Sequence, residues 1–96
     1  MEENEIIMGL NRQLDTHFNE GLAETELNEG LAAFINGLIQ HDFEKLVSLL
    51  YRIDIDEAKL KRILKASEGE DTGVIIARLI LEREQQKVES RNKFKR

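Results

Sequence analysis

Apolar residues recur along this chain in steps of three and four, the spacing that gathers side chains on one side of an α-helix. Between residues 4 and 20, Ile7, Leu10, Leu14 and Phe18 form such a face. Asn4 stands where a side chain caps a helix start, and Gly21 stands where a left-handed residue commonly ends one. Residues 25–40 repeat the pattern with Leu27, Leu31, Phe34, Ile35, Leu38 and Ile39. Gly30 and Gly37 within this stretch each weaken a helix by up to ~1 kcal/mol relative to Ala. Their presence predicts either close approach of another backbone or plain tolerance of the cost.

A third helix is expected over residues 42–51, capped by Asp42, with Phe43, Leu46, Val47 and Leu50 as its apolar stripe and Leu49 and Tyr51 widening it. Glu44, Lys45 and Ser48 turn outward. Tyr51, Ile53 and Ile55 alternate with polar residues as a strand would, yet no second such run exists to pair with them. Arg52 to Asp54 is therefore read as a connection, with Asp54 capping a fourth helix over 55–67 and Glu57 completing a capping box. Leu60, Ile63 and Leu64 face inward there, Lys59, Lys61, Arg62 and Lys65 face solvent, and Gly69 ends the helix.

A fifth helix over 72–90, beginning near Asp71 or Thr72, is the most informative. Between Val74 and Leu81 the only charge is Arg78. At about 100° per residue, Val74, Ile75, Ile76, Ala77, Leu79, Ile80 and Leu81 point in nearly every direction. A helix apolar all round is either central to its domain or shared with a partner. Ile75, Ile76, Leu79 and Ile80 are accordingly the candidate partner interface. From Glu82 onward only Val88 and Phe94 are apolar, and this stretch is expected to project and fray. The fold class is thus all-α, a compact bundle of about five helices, forming one domain over residues 1–90 followed by a basic tail, 91–96.

Composition narrows the possibilities. Charged residues make up 34% of the chain, above the usual ~25%, so the core must be cut as narrow stripes from a heavily charged sequence. Without Cys, Pro or Trp the chain is no disulfide scaffold, cysteine zinc module or Pro-rich linker, and a reducing cytoplasm suits it. The opening MEENEIIMGL lacks the basic start and long apolar run of a signal peptide, and the uncharged run over 30–41 is too short to cross a bilayer. A soluble, cytoplasmic protein with no membrane association is expected.

Charge is distributed unevenly. Residues 1–50 hold ten acids and two bases, net −8, while residues 51–96 hold nine acids and twelve bases, net +3. A solvated helical surface accounts for this, and an electrostatic clasp between the two ends, within or between chains, is the sharper alternative. Lys59, Lys61, Arg62 and Lys65, with Lys87, Arg91, Lys93, Lys95 and Arg96, form a candidate basic patch for nucleic-acid phosphates. The overall charge of −5 argues against that partner.

Little else carries chemistry. The chain has no Gly-rich phosphate loop, no His-Glu-x-x-His pair and no nucleophile elbow. His17 and His41 are not at metal-ligand spacing, and Asp54, Asp56 and Glu57 open like a calcium loop whose later Gly and Glu are absent. Ser48 has only Lys45 as a neighbouring base, and His41 beside Asp42 faces a different way on a helix. No catalytic residue, metal or cofactor is assigned, and the chain is not read as an enzyme.

Over residues 31–87, the words His41-Asp42-Phe43, Leu49-Leu50-Tyr51-Arg52-Ile53-Asp54, Ile75-Ile76-Ala77 and Glu82-Arg83, with Ile39, resemble a family of short, uncharacterised all-helical bacterial proteins. The resemblance implies a compact cytoplasmic helical domain and brings no ligand or catalytic residue with it. From the residues themselves the expectation is a small helical interaction or scaffold protein whose apolar helix surfaces bury against a partner, most simply a second copy in a homodimer.

Overall fold

The computed structural model describes residues 2–66 and 69–94, with side chains over 4–66 and 69–93. Five α-helices follow one another among the described residues: α1 (Glu2–Leu14), α2 (Glu24–His41), α3 (Phe43–Ile53), α4 (Glu57–Ala66) and α5 (Thr72–Phe94). They form an all-α bundle measuring 42 × 26 × 22 Å. The architecture is the one the periodicity predicts, and its ends differ for local reasons.

α1 begins before Asn4 and stops at Leu14 rather than near Glu20. Asp15 turns left-handed at φ 59°, which an Asp tolerates better than most residues and which breaks the helical run. Asn4 does not cap. Its Oδ1 accepts from Gly21 N at 3.0 Å and so ties the following loop back to α1. Asn11 organises the same loop: its Oδ1 accepts from Phe18 N at 2.8 Å and from Thr16 Oγ1 at 2.9 Å, while its Nδ2 donates to the Phe18 carbonyl at 2.9 Å. Phe18 is thereby held off the helix with its ring 3.0 Å from where a Cβ on Gly30 would stand. Gly30 therefore marks close approach of a side chain rather than of the expected backbone, whereas Gly37 has nothing within 4 Å.

Asp42 caps α3 as expected, its Oδ1 accepting from Lys45 N at 3.2 Å. The expected role of Asp54 changes. It ends α3 in the left-handed region at φ 67°, and Ile55 N closes the turn onto the Leu50 carbonyl at 3.1 Å. With Ile55 used in that turn, α4 starts at Glu57 and Asp56 is its cap, accepting from Ala58 N at 2.9 Å and Lys59 N at 3.4 Å. Residue 67, the expected end of the fourth helix, lies outside the described residues. Asp71 caps α5 by accepting from Gly73 N at 2.9 Å and Val74 N at 3.3 Å. That same oxygen accepts from Asn36 Nδ2 at 2.9 Å, which joins the start of α5 to α2. The Asn36 hydrogen bond, followed by the backbone ones, holds the Asp71 carboxyl below its ordinary value of 3.8.

α5 is the axis of the bundle. It packs most extensively on α2, and α1, α3 and α4 also rest on it. Ile7, Leu10 and Leu14 of α1, Leu31 and Ile35 of α2, Leu46 and Ile53 of α3, and Ile76 and Ile80 of α5 make one buried cluster. Burying a side chain of this kind contributes about 1.5–3 kcal/mol. α5 continues as helix through Phe94, so Arg91 and Lys93 belong to it rather than to a frayed tail. Lys95 and Arg96 lie outside the described residues.

α1 approaches α5 where Gly9 faces Glu84. A methyl at Gly9 would collide with the Glu84 carboxylate, which is only 2% exposed. Glu84 Oε2 accepts from Gln13 Nε2 at 3.2 Å, and Gln13 Oε1 accepts from Lys87 Nζ at 3.2 Å. One amide thus links a carboxylate to an ammonium across the two helices.

Candidate interaction surfaces

Of the two roles open to a helix apolar all round, α5 takes the central one. Ile75, Ile76, Leu79 and Ile80 are all buried within the chain's own bundle, none more than 7% exposed. As the candidate partner interface they are corrected by this burial, because a side chain already packed intramolecularly presents no surface to a second protein. The outer line of α5 is Val74, Arg78 and Glu82, spaced four apart and exposed.

Among the described residues, three of the five exposed large apolar side chains lie together on α3 instead, the other two being Met8 on α1 and Val74 on α5. The inward face of α3 steps through Leu46, Leu49 and Ile53, all buried. Phe43 and Val47 were expected on that face, yet they occupy the opposite edge with Tyr51, at 59%, 51% and 88% exposure respectively. The three are four residues apart and form one line along the helix. Leu50, half-buried, lies between the two faces. The sequence contains all these residues, but with apolar side chains at 43, 46, 47, 49, 50, 51 and 53 the stripe is too wide to reveal which edge faces the core.

This line borders a groove of about 310 Å³ between α3 and α4, lined mostly by apolar side chains. Both helices rest on α5, and the groove remains between them with Leu46 and Ile76 among its lining residues. α4 contributes Leu60 and Leu64, neither of them fully buried, and no residue of α4 reaches the core completely. Glu57 and Lys61 stand at this lining and pair with each other at 3.1 Å.

The candidate basic patch does not form one surface. Lys59 Nζ lies 3.8 Å from Glu82 and Lys61 pairs with Glu57, so two of the α4 bases already face carboxylates. α4 runs back along α5 from this point, which carries Lys65 toward the start of α5 while Lys87, Arg91 and Lys93 lie toward its end. At 1.5 Å per residue, Lys65 and Arg91 are separated by roughly 20 Å along the axis. Arg83, which had no assigned role in the sequence, reaches Asp54 at 3.5 Å.

His17 and His41 are exposed, one in the α1–α2 loop and the other at the end of α2. Among the described residues, no group of three His, Asp or Glu side chains is placed to hold a metal ion. No helix among them is long and apolar enough to cross a membrane. No family model matches the chain, and neither does any curated protein or solved structure compared with it.

Proposed function

We propose that the chain is a cytoplasmic helical interaction module that self-associates through α3 and the groove between α3 and α4. The observation that carries this reading is the exposed line of Phe43, Val47 and Tyr51 beside an apolar groove of about 310 Å³. Aromatic side chains exposed in this way are the kind enriched at protein interfaces and depleted elsewhere on surfaces.

Charge on α3 favours a second copy as the occupant. In an antiparallel pairing of two α3 helices centred on Ser48, Glu44 of each copy lies opposite Arg52 of the other. Arg52 donates from Nη1 to the Gln13 carbonyl at 3.2 Å, which leaves further guanidinium N–H groups to reach a carboxylate. At aromatic side-chain areas of 150–250 Å², the exposed line amounts to roughly 350–400 Å² per copy. A standard interface needs about 800 Å² per partner. The line therefore supplies about half, and the groove and α4 must supply the rest.

Sedimentation equilibrium across the micromolar range tests this. A monomer–dimer equilibrium is expected, abolished by Val47→Glu with helix content unchanged. Glu44→Arg should weaken the dimer, and adding Arg52→Glu should restore it. A strict monomer at high micromolar concentration overturns the proposal, and a dimer indifferent to Val47→Glu removes α3 from it.

A further inference from the structure

A second groove, of about 380 Å³, lies between α1 and α5 on a different part of the molecule and has a different chemistry. Arg12 enters it from α1, and Arg83, Lys87 and Arg91 enter it from α5. In a chain of net charge −5, four cations converge here with Glu84 as the one acid of the lining, and Asp54 approaches Arg83 from outside it at 3.5 Å. The three on α5 are spaced four residues apart, which stacks like charges on one helix edge about 6 Å from one another. Like charges so spaced repel one another weakly, and an anion lying along them would relieve that repulsion.

The geometry also directs the charges. Glu84 is turned inward against Gly9 and held by Gln13, while the other end of the same Gln13 amide receives the Lys87 ammonium. The acid is thus withdrawn into the packing, and Lys87 is fixed at the groove wall. Arg83 Nε is buried without a hydrogen-bond acceptor among the described residues, a state that native structures rarely leave uncompensated. Ser90 and Gln86 add neutral donors to the lining.

We infer that this groove binds phosphate-rich small anions, with Arg12, Arg83, Lys87 and Arg91 as the binding residues. Guanidinium forks match phosphoryl oxygens in pairs, and three of the four cations are arginines. The lining contains no aromatic and no apolar side chain. It therefore offers a nucleobase no aromatic ring to stack on and an acyl chain nothing to bury against, so recognition falls on the phosphates. The inference is independent of self-association through α3.

Titration with inorganic pyrophosphate at low ionic strength, followed by amide NMR shifts and calorimetry, tests the assignment. Saturable shifts confined to the end of α1 and residues 83–91 of α5 are expected. Affinity should fall about tenfold in Arg91→Gln, the loss of roughly one charge-assisted hydrogen bond. Arg91 is exposed, so this variant keeps its fold, which far-UV ellipticity verifies. Glu84→Gln should bind more tightly and Val47→Glu should bind unchanged. ADP should bind about as well as pyrophosphate, and much tighter ADP binding would overturn recognition by phosphate alone. Absence of saturable shifts, equal shifts with sulfate at matched ionic strength, or indifference to Arg91→Gln would each overturn the site.

Discussion

Replacing Ile80 and Tyr51 in turn by alanine separates a core residue from a surface one where both are large, apolar-bodied and helical. Ile80 is fully buried in the central cluster, and Tyr51 is 88% exposed. Truncating a buried Ile to Ala costs about 2–5 kcal/mol, combining lost transfer energy with the cavity left behind. Total stability at roughly 0.05–0.15 kcal/mol per residue comes to about 5–14 kcal/mol for a chain of this length. Ile80→Ala therefore removes a large share of it and lowers Tm by about 10–30 °C. Tyr51→Ala lies within about 0.5 kcal/mol of the parent, since no packing is lost and Ala favours helix. Urea unfolding followed by far-UV ellipticity reads both, at low micromolar concentration so that self-association adds nothing to stability. A loss under about 1 kcal/mol for Ile80→Ala, or equal losses for the two variants, would refute α5 as the axis of the bundle.

Two glycines should respond with opposite sign. Gly37→Ala meets open space and should stabilise the chain by about 0.5–1 kcal/mol in urea unfolding, whereas Gly9→Ala should lower the midpoint because its methyl meets the buried Glu84 carboxylate. The Asp71 cap predicts a pH effect. Its folded-state pKa is below the ordinary 3.8, so its contribution is fully present above that value and is lost as pH falls through the lowered one. Carboxyl NMR titration should find Asp71 below the usual Asp range, and Asn36→Ala should move it back up. An unmoved pKa in that variant would remove Asn36 as the main cause.

The helices were legible because their apolar spacing is regular and because Asp42 and Asp71 sit at true starts. What the sequence hid is conformational. Asp15 and Asp54 both adopt the left-handed backbone that Gly usually supplies, so α1 ends earlier than Gly21 implied and Asp54 closes α3 instead of opening α4. On α3 seven apolar positions between 43 and 53 left the inward edge undefined, and only packing on α1, α2 and α5 selects Leu46, Leu49 and Ile53. The α5 residues were legible as exceptional, with a central role and a shared one both left open until packing showed them buried. The basic groove was half visible through Lys87 and Arg91. Arg12 and Arg83 join it only by the pairing of α1 with α5, which no local pattern encodes.

Because α5 emerges from the ribosome after the four helices that rest on it, those helices are made before the surface that covers them exists. At about 5–20 residues per second, roughly 3–13 s pass between completion of α1 and synthesis of Leu81. Through that interval Ile7, Leu10, Leu31 and Ile35 can bury against one another only in part. A stop codon before residue 74 would therefore leave a segment with apolar faces and no axis to close them.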